Sequence, residues 1–218
     1  MFLMTCSILL GPLIDLSPSV PAIVTFAILG IATFDSWSLE GRGGTLFLDL
    51  IGGFSTEYRE RILHHEAGHF LVAYVLGVPV TGYTLSAWEA FKQKQKGLAG
   101  VSFDDVELFS KFEQGGISTR ILERYYTIWM AGIAAEKLVY DNASGGADDK
   151  NKLMGVLNSL GCSESLCDQK QRFSLLQAKT LLENNWSAYQ ALVESMRKRA
   201  TVKECNDILI EQGVASSK

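Results

Sequence analysis

The chain has 218 residues, a net charge of −4 from 20 lysines and arginines against 24 aspartates and glutamates, and 47% hydrophobic residues. That length accommodates one ordinary domain with a sizeable core plus a short appendage, and the thin scatter of basic residues excludes a nucleic-acid-binding surface. Cys6, Cys162, Cys167 and Cys205 are too few and too dispersed for a disulfide scaffold, and no C-x-x-C pattern marks a cysteine zinc site. Two reduced thiols are the favoured state of Cys162 and Cys167, with a bridge between them as the alternative.

No lysine or arginine precedes Arg42. Two apolar runs, residues 2–14 and 20–34, flank the turn-like Asp15-Leu16-Ser17-Pro18-Ser19. Each is shorter than the ~20 residues that cross a hydrocarbon core upright. Residues 1–36 are therefore expected to form a membrane hairpin, or a single span in which the second run borrows turn residues. A buried core helix is the rival for the second run, and the missing basic n-region argues against a cleaved signal peptide. Arg42, placed after both runs, favours the cytosolic or stromal side for the residues beyond it. Residues 37–53 read as a linker containing a short apolar element, and residues 54–218 as the globular domain.

Within Ile62-Leu63-His64-His65-Glu66-Ala67-Gly68-His69 lie all three histidines of the chain. His65, Glu66 and His69 form an H-E-x-x-H pattern. Tyr58, Ile62, His65, His69, Val72 and Leu76 recur at a period near 3.6, which predicts a helix from about residue 56 to 76. Ser55 or Thr56 can cap its start, and Gly77 followed by Pro79 supplies a stop. Residues four apart lie one turn above each other, so both imidazoles can converge on one metal ion with Glu66 beside it, an arrangement suited to zinc with an open coordination position. Two core histidines bonded within the interior are the rival reading. His64 lies off this stripe and is expected to be solvated or to support a ligand rather than be one.

Residues 80–86, with Thr81, Tyr83 and Leu85 on one face, carry a strand signal, and residues 98–103 can pair with them. Residues 87–97 between them, with Lys92, Lys94 and Lys96, read as a solvated loop. An edge strand can hold an extended peptide through main-chain hydrogen bonds, which makes Val101, Ser102 and Phe103 candidate substrate-binding residues. Residues 117–140 form a predicted long helix in which Ala131, Gly132, Ala134 and Ala135 let another helix approach closely, Ala67 and Gly68 being the obvious partner. Glu136 ends that patch, either as a supporting partner for a ligand histidine or as an exposed helix glutamate.

Two histidines leave a hydrolytic zinc site one protein ligand short. The loop Asn142-Ala143-Ser144-Gly145-Gly146-Ala147-Asp148-Asp149 leads into another helix, whose inward stripe carries Asp149, Leu153, Val156 and Leu160. Asp149 is the preferred third ligand and Asp148 the expected cap. Glu89 is the rival, at a thermolysin-like distance, but Gly77, Pro79 and a strand-like run intervene. The metzincin pattern fails because Val72 stands where glycine is needed and no further histidine occurs downstream.

Together these segments resemble the peptidase domain of the FtsH family of membrane-bound zinc proteases. His65-Glu66-Ala67-Gly68-His69 looks like its zinc helix, Ala131-Gly132-Ile133-Ala134-Ala135-Glu136 its small-residue helix, and Ser144-Gly145-Gly146-Ala147-Asp148-Asp149 its glycine loop, whose last aspartate is the third ligand. The tail over residues 177–212, with Thr201 and Glu204 as a capping box, resembles its terminal helices. The likeness covers roughly residues 56–212 and implies a mainly α, multi-helix zinc metallopeptidase domain with a small β hairpin near the site, behind an N-terminal membrane segment. Zn2+ would be bound by His65, His69 and Asp149, with Glu66 catalytic. Three departures stand out: no G-x-x-x-x-G-K-[ST] occurs, the 87–97 loop is longer than usual, and Ile133 replaces an arginine.

The chain is thus most similar to the small ATPase-less relatives of plastids and cyanobacteria. This implies a membrane location: plastid thylakoid or envelope in a plant or alga, otherwise a cyanobacterial membrane. With no transit peptide visible, a plastid address would require a mature or truncated chain. The expected function is a membrane-tethered zinc metalloendopeptidase acting on unfolded or exposed protein segments. Lipid is contacted through the N-terminal segment, and a second copy or an AAA-type protease is the expected protein partner. A zinc-stabilised, non-proteolytic scaffold subunit is the alternative. An intramembrane protease is disfavoured by Glu57, Arg59, Glu60, Arg61, Lys150 and Lys152, which are costly to bury in lipid.

Overall fold

The structure is a computed structural model that describes residues 55–86, 89–90, 100–104 and 118–217, together with Ile23, Phe26, Leu29, Gly30 and Thr33. The chain divides into two units, Met1–Ile51 and Gly52–Lys218. In the first, the five described positions are helical, with Ile23, Phe26 and Leu29 exposed. Otherwise the expected membrane segment over 1–36 and the linker over 37–53 lie outside the described residues. No helix among the described residues is long and apolar enough to cross a membrane.

The second unit is mainly helical with a small two-stranded antiparallel sheet. Its elements run α1 (Thr56–Val75), β1 (Val80–Thr84), β2 (Gly100–Phe103), α2 (Thr119–Tyr140), α3 (Ala147–Ser159), α4 (Glu164–Asn184), α5 (Trp186–Arg197) and α6 (Val202–Glu211). Helix α1 begins where the Ser55 side chain accepts a hydrogen bond from the Tyr58 amide at 3.4 Å. It ends at Gly77, whose φ of 71° is a left-handed turn that glycine adopts without steric cost. The last carbonyls of α1 are satisfied from the far end of the chain: the Ser216 hydroxyl donates to Tyr74 O and the Ser217 amide to Val75 O, both at 2.9 Å.

From Leu63 to Ala73 nearly every side chain of α1 is buried, because α2, α4, α5 and both strands pack around it. A single inward stripe therefore understates its burial, and Tyr58, placed on that stripe, is exposed. Fully burying Phe70 or Leu71 contributes roughly 1.5–3 kcal/mol each. Helix α2, capped by the Ser118 side chain, lies between α1 and α4 and is buried from Tyr125 to Glu136 on all sides. The two central helices approach until backbone limits them: a Cβ on Gly68 would stand 2.7 Å from both Ala131 O and Ala135 Cβ. This is why small residues cluster at that level.

The strands pair with Val80 opposite Phe103 and Thr84 opposite Gly100, and a bulge falls between Val80 and Gly82. The bulge breaks the expected alternation. Thr81 is exposed whereas Thr84 is fully buried. Tyr83 packs edge-on against Phe70, and its hydroxyl donates to Ala200 O, tying the sheet to the turn before α6. Glu89 and Ala90, within the expected solvated loop, are helical, and Ala90 is fully buried; the rest of 87–97 lies outside the described residues. Cys162, Cys167 and Cys205 are free thiols.

Candidate metal centre

His65 and His69 sit one turn apart on α1, 8% and 5% exposed, with ring centroids 4.8 Å apart. Each ring is fixed through Nδ1. His69 Nδ1 donates to the Ile128 carbonyl at 2.7 Å, and His65 Nδ1 donates to Glu136 Oε1 at 2.7 Å. Since both partners only accept, each Nδ1 carries a proton, and in the neutral ring the lone pair is left on Nε2. Both Nε2 atoms face the same oxygen: Asp149 Oδ2 lies 3.1 Å from His65 Nε2 and 3.4 Å from His69 Nε2. The three ligand atoms lie within 4.8 Å of one another.

The loop before α3 delivers Asp149. Gly146 is the N-cap residue of α3, at φ 87°, with no side-chain cap; a Cβ there would stand 2.2 Å from Ile133 Cγ1. The expected capping role of Asp148 is therefore corrected. The left-handed glycine turn itself starts the helix, and Asp148 lies inside the first turn, exposed, while Asp149 is buried with Leu153 and Leu157. Leu160, expected on the inward stripe, is 45% exposed. Glu136 is 2% exposed and accepts from the Ser144 and Gly145 amides at 2.8 and 3.2 Å as well as from His65. It thus joins the helix carrying the first histidine to the loop carrying the aspartate.

Sequence reasoning identifies Gly132 only as a small residue for helix packing. A Cβ at that position would fall 2.3 Å from His65 Nε2, so the glycine makes room for the imidazole itself. A glycine in a helix interior costs stability against alanine, and its presence level with a ligand histidine is the signal that points to this role. His64, by contrast, is turned away from the centre. Its Nδ1 lies 2.8 Å from the Tyr189 hydroxyl, which also donates to the His64 carbonyl, anchoring α5 to α1.

Electrostatics favour positive charge at this point. Burial alone would lower the His65 pKa, but hydrogen bonds to Asp149 and Glu136 and the charge of Glu66 raise it to about 10. Burial alone would raise Asp149, yet the His69 and His65 rings hold it well below the usual carboxylate range. For Glu136, too, burial is outweighed by the His65 bond and the two loop amides, which lower its pKa. Glu66 behaves oppositely: burial raises its pKa against the pull of His65 and His69.

Glu66 Oε2 is buried and has no hydrogen-bond partner among the described residues. Leaving a buried acceptor unsatisfied costs about 1–3 kcal/mol, which is tolerable where a ligand completes the arrangement. The Nε2 atoms of His65 and His69, one carboxylate oxygen of Asp149 and this orphaned oxygen form a donor set that fits a metal ion with three protein ligands, binding of which would displace the proton that His65 Nε2 shares with Asp149. His65, His69 and Asp149 can hold one.

Glu89 lies outside this group. It accepts from the Leu85 amide at 2.8 Å and pairs with Arg199 at 2.9 Å. Val101, Ser102 and Phe103 lie on β2, half-buried, paired with β1 and packed toward α1. No protein-family model and no curated protein matches the chain, so any functional reading rests on these residues and their geometry.

Proposed function

We propose that the chain is a zinc metalloendopeptidase, tethered to a membrane by its N-terminal apolar runs, that hydrolyses peptide bonds in unfolded or exposed protein segments. The observation that carries this reading is the buried Glu66 Oε2, unpartnered among the described residues, whose carboxylate interacts electrostatically with His65, His69 and Asp149. A site built only to hold a structural ion needs ligands and no spare carboxylate, and this weighs against a non-proteolytic scaffold. Zinc bound by the three ligands would supply a Lewis acid that polarises the scissile carbonyl and lowers the pKa of bound water.

The remaining work falls to the chain itself. Glu66 takes the proton of the attacking water and delivers it to the departing amine nitrogen. Glu136 and the Ile128 carbonyl hold the two imidazoles in the tautomer that presents Nε2. Strand β2, through the backbone of Val101, Ser102 and Phe103, would align an extended segment. None of these parts unfolds a substrate, and unfolded or exposed segments are the natural targets.

The test is cleavage of an unfolded protein by the full chain, with and without chelator, beside Glu66→Gln. The expected outcome is chelator-sensitive cleavage that falls about 10²–10⁴-fold in the variant while its zinc content stays at the wild-type level. Cleavage that survives the chelator refutes the metal mechanism, and a variant with undiminished biological activity points to the scaffold.

A further inference from the structure

Arg61 lies on α1 one turn before His65, with its side chain 17% exposed. Its Nε bonds Glu57 within the same helix at 3.3 Å, but the rest of the guanidinium reaches other elements. Nη1 donates to Asn142 Oδ1 at 3.0 Å and lies 3.7 Å from Glu136 Oε2. The guanidinium carbon stands 4.3 Å over the Tyr140 ring. Glu136 is the residue that orients His65, and Asn142 opens the loop that ends in Asp149. A single planar cation therefore touches the supports of two of the three metal ligands. The surrounding groups suit arginine in particular, because a fork of donors and a flat face are used together.

We propose that Arg61 is a positioning residue of the metal centre. By holding Asn142 and Glu136 against α1 it fixes both the loop that delivers Asp149 and the carboxylate that orients His65, and so sets how tightly the metal is held. The alternative for such a residue is an ordinary partly exposed ion pair, worth about 0–1 kcal/mol of stability and nothing to the site. The two differ in what they predict for the metal. Loss of an outer partner that aligns a ligand typically weakens metal binding about 10–100-fold, whereas loss of a surface ion pair leaves binding unchanged. The proposal rests on the metal reading above.

The experiment uses the full chain and zinc alone as probe, with affinity measured by competition against a chromophoric chelator and folding followed by circular dichroism. Arg61→Met is expected to bind zinc about 10–100-fold more weakly than wild type, and Arg61→Lys, which keeps the charge without the fork, to recover only part of that loss. In a Glu136→Gln background, adding Arg61→Met is expected to cost clearly less affinity than it does alone, because the path through Glu136 is already cut and only the one through Asn142 remains. Wild-type affinity in Arg61→Met, or an equally large loss added to that of Glu136→Gln, overturns the proposal. Should Arg61→Met fail to fold, Asn142→Ala leaves Arg61 and Glu136 in place; faster zinc release supports the clamp and an unchanged release rate overturns it. A wild-type chain that takes up no zinc overturns the metal reading itself, which sets that failure apart from the failure of Arg61 alone.

Discussion

Gly132 offers a sharp test of the centre, because a single methyl group placed there separates helix stability from metal binding. In an ordinary helix interior, glycine to alanine is worth roughly 1 kcal/mol in favour of alanine. In α2 the new Cβ would stand 2.3, 2.4 and 2.6 Å from Nε2, Cδ2 and Cε1 of His65. Ordinary van der Waals contact begins near 3.4 Å, so the ring must retreat by about 1 Å. It is buried and bonded through Nδ1 to Glu136, so it cannot retreat without losing that partner. Functional constellations tolerate displacements of about 0.5 Å, and metal–ligand distances about 0.2 Å. Gly132→Ala is therefore expected to lower zinc affinity at least about 100-fold, or about 2.8 kcal/mol, with the helical fold retained. The comparison is Gly68→Ala, whose Cβ meets Ala131 O and Ala135 Cβ at 2.7 Å and so strains the α1–α2 contact by roughly 1–3 kcal/mol without touching the ring, so that stability falls while zinc affinity falls less than in Gly132→Ala. Chelator competition reads affinity in both, and thermal unfolding reads stability. Wild-type zinc affinity in Gly132→Ala would refute the placement of His65 and, with it, the geometry of the centre.

Three further outcomes check the ligand set, the substrate strand and the terminal helix. Asp149→Asn is expected to lose zinc while Glu89→Gln, whose carboxylate serves Leu85 and Arg199, retains it; metal analysis of the two purified variants decides, and the reverse pattern overturns the ligand assignment. Ser102→Pro removes a backbone donor from β2, so zinc content should hold while cleavage of unfolded protein is abolished; unimpaired cleavage removes β2 as the substrate rail. Thr201→Ala breaks the capping box that Thr201 and Glu204 form at the start of α6 and should cost about 1 kcal/mol, seen as a melting temperature lower by roughly 2–4 °C, with no change in zinc affinity.

Features that depend on neighbours a few residues apart are legible in the sequence. The span of α1, its Ser55 cap and its glycine stop arise from side chains within one turn of the places they act, and the Thr201 and Glu204 capping box is likewise a pattern three residues long. The two strands, expected over 80–86 and 98–103, are visible because each strand's pattern is local, and they form antiparallel over the shorter spans 80–84 and 100–103. Where the structure departs, the deciding contact is remote in sequence. Asp148 reads as a cap from its place before a helix, yet a turn at Gly146, packed on Ile133 from α2, starts that helix two residues earlier. Alternation places Thr81 on one face with Tyr83 and Leu85, yet Thr81 is exposed and Leu85 buried, with a bulge between Val80 and Gly82.

The site divides in the same way. The pairing of His65 with His69 is local, since helical geometry alone puts both rings on one face. Asp149 is separated from them by more than a full helix–loop–helix passage, and periodicity says only that it points inward; what brings it to His65 is the α1–α2 contact at Gly68 and the gripping of the glycine loop by Glu136. Glu136 is legible as one of two opposite things, an exposed helix glutamate or a support for a ligand, because a carboxylate at the end of a small-residue patch is consistent with both. Its 2% exposure and four polar neighbours, His65, Ser144, Gly145 and Arg61, result from how closely two helices pack. That closeness depends in turn on Gly68, Gly132 and Gly145 having no side chains. The chemistry of the centre is thus carried by residues with reactive groups, but its geometry is set by residues with none, and a motif search weighs only the first kind.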